Sequence, residues 1–544
     1  MKKIIRPICT LLFGVAVILF FGLAYPHHLH YQEQFQLFLF DSAYVWEMVK
    51  LPGGTADLLG RFCTQFFLFA WVGAIIIGLL LSAMQLLTAR LAKWGWFYGL
   101  SFVPSFLLWL FLLDENALLG GVWAVVLTLL ASWGFDRLTD GWTRRILLVA
   151  AVPILYWMVG PVCVLFFLLQ VLHHKRSAWS YGVFLLLIAM PVISSCFLPV
   201  PASSLWTGIH YHRYPTVFPA LLWAATLSVF VLTLIVRAFY HQRSKKFNGQ
   251  CSTVNEKNGQ CPKMRVNESR DEVVQSMPSN SILGEANGQW SMFNGQWSTL
   301  SVFVVVAVIM GWVVWKNSNF KAEKVMQYDF MARHQQWNRI IDTVNAEKPN
   351  NPIGVTVQNL ALAMHGLLPD HLFEYNQNGI SGLFPKVERD ATSPLPTAEV
   401  FYQLGMINVA QRSVFEAQEA ILDFQKSARC YKRLAQTNLI NGDYEVARKY
   451  LMALQKTLFY SDWANETLPL LGDEEAIAKH PEYGRLRQMA YQEDFYFSDH
   501  TTSQMLQSLF LSNTDNNLAY EYLLAYCLLT GDRENYYYFT SIQR

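Results

Sequence analysis

ILLVAAVPILYWMVGPVCVLFFLLQVL, Ile146–Leu172, is an apolar run that crosses a bilayer either once, obliquely, or twice as short spans turning at Met158–Pro161. Gly-Pro breaks helices, and the residue before a proline avoids the helical region. Charge decides the reading. Lys2, Lys3 and Arg6 place the amino terminus in the cytoplasm, where basic residues accumulate. With a turn at Gly160-Pro161, the clusters Arg90/Lys93, Arg137/Arg144/Arg145, Lys175/Arg176 and Arg237/Arg243/Lys245/Lys246 all fall on that side. With a single span the later clusters fall outside. The hairpin is therefore expected.

Composition agrees with a bilayer. Of 544 residues, 53% are hydrophobic and only 15% charged, and the mean hydropathy is +0.21. Soluble chains carry about a quarter of their residues as charges. A net charge of +2 without a basic tract gives no ground for a nucleic-acid partner. The eight cysteines show no CxxC or Cys/His ligand spacing.

The first apolar run follows MKKIIRP and resembles a signal peptide. No small-x-small site precedes Tyr25-Pro26-His27-His28, so it is expected to stay as a transmembrane helix, Ile8 to Ala24. Further spans are expected at about Phe62–Leu87, Trp94–Leu113, Ala117–Gly134, Tyr181–Phe197, Thr216–Val236 and Leu300–Trp315. With the hairpin this makes about nine spans. The division expected is a membrane domain over residues 1–241, a disordered cytoplasmic linker over 242–299, the last span over 300–315, and an extracytoplasmic domain over 316–544. The linker repeats Asn-Gly-Gln four times and has too little apolar area to fold.

From Lys316 onward the pattern turns amphipathic. KRLAQTNLINGDYEVARKYLMALQKT, 432–457, reads as two helices around Asn441-Gly442-Asp443, with Gly442 left-handed. Related turns are expected at Thr530-Gly531-Asp532 and within ARHQQWNRIIDTV. The spacing is irregular, so the expected fold is all-α: a polytopic helical bundle followed by an irregular α-solenoid of tetratricopeptide-like helix pairs.

Several blocks carry a family resemblance: the exit stretch from Tyr25, GGTADLLGRFCTQFF, QQWNRII, NLALAMHG, AEVFYQLGMINVAQRSVFEAQ and KRLAQTNLINGDYEVARKYL. They resemble an uncharacterised bacterial membrane family, domain of unknown function 6057, over nearly the whole chain except the Asn-Gly-Gln linker. That resemblance implies an architecture and supplies no activity. More coarsely, the membrane half is architecturally similar to GT-C glycosyltransferases, with many spans, an acidic first outer loop and a soluble outer domain.

Two outer loops are polar: Tyr25–Arg61 and Leu198–Pro215. The GT-C likeness gives them a role. Sugar transfer from a polyprenyl phosphate needs a carboxylate base, for which Asp41 and Glu33 are the candidates, Asp41 ahead of Glu33. It also needs groups that hold the donor, for which Arg213, His212 and His30 are the candidates. A helical reading of residues 33–41 places Glu33, Leu37 and Asp41 near one stripe of an interfacial helix. The plainer reading is that these residues are at ease in the headgroup zone. His27, His28, His30 and Glu33 offer donors for zinc, which His210 and His212 could join from the other loop, but no HExxH or cysteine set supports a metal site. No nucleotide or other cofactor motif occurs.

Three functions follow. One is a GT-C-like transferase in the bacterial inner membrane, with its carboxyl-terminal domain in the periplasm. Another is an envelope scaffold whose helical repeats bind a protein partner. A transporter or flippase is the third, disfavoured because no span carries a mid-membrane charge.

Overall fold

The computed structural model describes residues 2–92, 94–139, 141–173, 178–255, 283–385, 393–421, 425–491 and 501–542. These residues form an all-α protein without a strand, with two isolated bridges, Ala117–His212 and Asn378–Ile380. Five helical stretches are long and apolar enough to cross a membrane: Ile5–Ala24, Ala70–Arg90, Trp142–Leu172, Ala220–Gln242 and Leu300–Asn317. Shorter apolar helices cover Phe97–Phe111, Leu119–Phe135 and Tyr181–Phe197. The chain is a membrane protein.

Packing divides it into two units. The membrane unit comprises residues 1–20, 47–60 and 74–318. The carboxyl-terminal unit comprises 319–544 and also takes in 21–46 and 61–73. The first polar loop is thus largely part of a folded core. Phe35 is buried with Leu395, Val414, Ile421 and Leu434, and Leu37 and Leu39 with Leu451, Leu454 and Tyr460.

In the membrane unit, the Gly160-Pro161 break is real. Helix Trp142–Val159 ends where Gly160 takes φ +71°, and a short 3-10 turn, Gly160–Cys163, leads into Val164–His173. Tyr211 donates its phenol to the Val159 carbonyl that this break exposes. Close helix approach is set by small residues. A Cβ on Gly99 would lie 2.5 Å from the Phe303 nitrogen, and one on Gly60 would lie 2.4 Å from that of Gly120. One buried polar cluster inside this unit is joined by hydrogen bonds. Thr10 donates to Gln85 Oε1 at 2.8 Å, and Gln85 Nε2 donates to Ser101 Oγ at 3.0 Å and to the Tyr98 hydroxyl at 3.2 Å.

Helical backbone enters both ends of the expected linker, as Ala220–Asn255 and Leu283–Asn317, while residues 256–282 lie outside the described residues. The second span starts later than expected. Helix Gly54–Thr64 and a 3-10 turn, Gln65–Leu68, end at an extended Phe69 before helix Ala70–Arg90 begins. The aromatic run Phe62–Phe69 reads as part of one continuous spanning helix, but Phe67 is buried and Phe66 packs edge-on against Phe459.

The carboxyl-terminal unit is built of helix pairs joined by one recurring turn. A left-handed residue sits one position before an N–H that bonds back five residues, the Schellman geometry that caps the preceding helix. It recurs at Gln335, Gly366, Gly405, Gly442 and Gly531. The bonds are Gln336 N–H to Met331 O, Leu367 to Leu362, Met406 to Phe401, Asp443 to Asn438 and Asp532 to Cys527, each 2.8–2.9 Å. The left-handed Gly442 and the turns at Gly531 and in ARHQQW agree with the sequence. The Gly405 turn was readable from the same signs in YQLGMINVAQ.

Candidate functional site

Helix Pro26–Glu33 begins with proline at its first position, where no amide is needed. The Glu323 carboxylate accepts from the His27 N–H at 2.7 Å and from the His28 N–H at 2.9 Å, closing the helix amino terminus. Burial pushes the Glu323 carboxyl up to about 7, against the pull of those two amides. His27 and His30, one turn apart, lie against the Phe330 ring at 5.2 and 4.4 Å. Burial, with neighbouring positive groups, lowers both imidazoles to about 4, so they are neutral at pH 7. The donors considered for zinc therefore diverge: His27 and His30 turn to Phe330, and Glu33 turns elsewhere. Among the described residues no three His, Cys, Asp or Glu side chains are grouped to hold a metal ion.

Glu33 closes this helix and is 4% exposed. Tyr460 donates its phenol to Glu33 Oε1 at 2.7 Å, while Oε2 is buried without a hydrogen bond among the described residues. Burial raises the Glu33 carboxyl, and Arg333, Tyr460 and Lys432 pull in the opposite direction. Arg333 donates to the Tyr460 hydroxyl at 3.3 Å and has no carboxylate within ion-pair distance among the described residues. Lys432 lies over the Trp463 ring at 4.9 Å, also without an ion pair among them. Burial and its neighbours Arg333 and Arg433 bring the Lys432 ammonium down to about 8.

Paired charges frame this cluster. Arg429 forks onto Asp329 at 2.6 and 2.9 Å and donates to Gln34 Oε1 at 3.2 Å. Arg433 holds Glu399 at 2.5 Å and lies over the Tyr402 ring at 3.6 Å. Tyr402 donates to Glu482 at 3.0 Å. The unpaired groups are thus a carboxyl with one open oxygen beside two cations (Arg333 and Lys432). Chemically, a carboxyl in such a place is able to take up or release a proton next to positive charge.

Asp41 is placed differently. Its carboxylate is ion-paired with Lys456 at 2.5 Å and accepts from the Ala43 N–H at 3.2 Å, at the start of helix Ser42–Val49. The Lys456 bond, helped by that of Ala43, holds it below the usual carboxylate range. The expected helical stripe through 33–41 is not formed. Residues 36–41 have no regular secondary structure, with the Leu37 N–H on the Lys426 carbonyl and the Phe40 N–H on that of Lys456. The reason is visible in FQLFLF: its alternation sends Leu37 and Leu39 into the core and Phe38 and Phe40 toward Phe62, the period of extended chain.

Arg213 and His212 belong to the membrane unit and are buried. Tyr214 N–H donates to His212 Nδ1 at 3.1 Å, leaving Nε2 to bond Asp114 Oδ2 at 3.1 Å. The Arg213 N–H donates to the Asn116 carbonyl at 2.8 Å. These residues tie the turn at Asp114–Ala117 to the segment 211–214.

Sequence reasoning missed Arg333, Lys432 and Tyr460. One sign was available: Arg429 and Arg433 stand a helical turn apart within the largely buried helix Ala428–Asn441, where charges need partners.

The chain matches the family of unknown function DUF6057 over residues 1–540 and belongs to that family. No curated protein and no solved structure matches it.

Proposed function

We propose that this member of the family is a GT-C-like membrane glycosyltransferase with Glu33 as its proton-transfer group. It takes a sugar from a polyprenyl-phosphate carrier for cell-envelope glycan. The observation that carries this reading is the Glu33 carboxyl, buried, raised by burial, open at Oε2 and set beside Tyr460, Arg333 and Lys432. A carboxyl poised nearer neutrality is suited to accept a hydroxyl proton. The acceptor oxygen attacks the sugar's anomeric carbon and the bond from that carbon to the phosphate oxygen breaks. The electron pair leaves with the phosphate, and the proton passes to Glu33. Positive charge at Arg333 and Lys432 offsets charge developing on the leaving phosphate.

In this reading Asp41 has a supporting role, because Lys456 and Ala43 already satisfy its carboxylate. His30 orients helix Pro26–Glu33 through Phe330. Arg213 and His212 serve the lipid-carrier side in the membrane unit. The alternation of basic clusters supports about nine spans in a bacterial inner membrane, an amino terminus in the cytoplasm and a carboxyl-terminal unit in the periplasm.

The test is transfer by the purified full chain from a radiolabelled lipid-linked sugar pool extracted from native membranes. Glu33→Gln should lower transfer by roughly 10²-fold or more, whereas Asp41→Asn should leave it near wild type. A fully active Glu33→Gln variant ends this reading.

A second reading is favoured by the recurring turns, which support a tetratricopeptide-like array able to hold a partner's peptide. A groove beside the Gly405 turn, lined by Ile407, Asn408, Asn441, Tyr491 and Met505, is its natural seat. Under this reading Asn408→Arg abolishes co-purification of an envelope protein, and Glu33→Gln does not.

A further inference from the structure

Rings from three distant stretches of the carboxyl-terminal unit form one continuous series. Phe40 lies 6.4 Å from Phe62, Phe62 lies 5.6 Å from Phe66, and Phe459 is 5.5 Å from Phe66 and 5.4 Å from Phe69. Such a series in a soluble core would be closed to water. Here it is open: Phe40 is 54% exposed, Phe69 52%, and Leu458, beside Phe459, 43%.

Its position in the chain says what covers it. Phe69 is the last residue before helix Ala70–Arg90, which is long and apolar enough to cross a membrane. Just beyond Phe69, the chain meets the close of the first such stretch, Ile5–Ala24. Gly22 lies so near Trp71 that a Cβ there would be 2.7 Å from the indole. The ends of two membrane-crossing stretches, residues 21–24 and 70–73, thus belong to the same unit as this patch. Aromatic rings concentrate at the headgroup level of a bilayer, where an apolar face meets polar flanks. The flanks are present as the Lys456–Asp41 pair on the same segments that carry Phe459 and Phe40.

We infer that the carboxyl-terminal unit has a lipid-binding surface, formed by Phe40, Phe62, Phe69 and the Leu458–Phe459 tip, which lies in the acyl–headgroup boundary. The surface is independent of sugar transfer. It nevertheless adjoins the candidate site, because Tyr460, the next residue, is the donor to Glu33. The turn 456–460 thus presents two apolar side chains to lipid and one phenol to the buried carboxyl.

The experiment uses the full chain in nanodiscs of phosphatidylcholine and phosphatidylglycerol, doped with a phosphatidylcholine carrying a diazirine in its acyl chain. After irradiation, peptides are read by mass spectrometry. Adducts are expected on helix Ala70–Arg90, on peptides holding Phe40 and Phe62–Phe69, and on the peptide holding Leu458–Phe459. Tyr537 and Tyr538, 70% and 56% exposed, provide an exposed aromatic control that should stay unlabelled. Adducts on Ala70–Arg90 without any at 456–460 overturn the proposal, as does labelling of Tyr537–Tyr538 equal to that of the patch.

Discussion

Tyr460 donates to Glu33 Oε1 at 2.7 Å, while Lys456, one turn earlier in sequence, holds Asp41 at 2.5 Å. Two carboxyl groups on one short segment are thus fixed by two residues of another, and their acidities are shifted in opposite directions. Burial raises Glu33, and the lysine lowers Asp41.

Removing the phenol tests the first pair. Tyr460→Phe strips Glu33 Oε1 of its donor and Arg333 of its hydrogen-bond partner, so stability should fall by roughly 1–3 kcal/mol. The lost bond favours the ionised carboxyl, so the variant's pH profile for transfer should move upward. A profile unchanged in midpoint would remove Glu33 from the titrating step.

Glu323 sets a pH dependence of its own. Its folded carboxyl is raised from 4.5 to about 7, chiefly by burial. The stability it contributes is full below pH 4.5 and is lost as pH rises through about 7, a loss of roughly 3 kcal/mol. His27 and His30 run the other way. With folded values near 4, their contribution is present above 6.5 and lost as pH falls toward 4. Glu323→Gln should remove only the first effect. Relative to wild type, the variant should gain stability between pH 4.5 and 8, measured by melting the full chain at each pH. A constant difference across that range would refute it.

The recurring turns predict an ordered series. At Gly442 a Cβ meets nothing within 4 Å, so Gly442→Ala pays only for the left-handed backbone, about 1 kcal/mol. At Gly405 the same Cβ would lie 2.7 Å from the Met489 carbonyl oxygen, so Gly405→Ala should cost clearly more. Gln335 occupies the equivalent position with φ 52°, and Gln335→Gly should stabilise by a few tenths to about 1 kcal/mol. Melting temperatures should rank Gln335→Gly above wild type, then Gly442→Ala, then Gly405→Ala.

The Arg429–Asp329 fork predicts non-additivity. Asp329→Leu strands a largely buried guanidinium and should cost roughly 3–5 kcal/mol. Adding Arg429→Met should recover most of that loss. Equal losses in the single and double variants would show that the pair carries no coupling.

The sequence by itself determined what depends on local rules. Apolar runs and a charge deficit make a membrane protein, Gly-Pro breaks the helix at Gly160, and Gly442 and Gly531 close helices through a backbone conformation that suits glycine. Those properties reside in a residue and its near neighbours. Tertiary structure decided which apolar and charged residues meet. Phe62–Phe69 reads like one continuous stretch of spanning helix because hydropathy cannot tell burial in lipid from burial in protein, yet Phe67 is buried in protein and Phe66 packs against Phe459, some 390 residues away. FQLFLF stayed out of helix because two rows of partners lay on opposite sides of it. The company of Glu33 was hidden for the same reason. Tyr460, Arg333 and Lys432 come from separate helices and turns, and a carboxyl's acidity is set by what is packed around it, which no local pattern records.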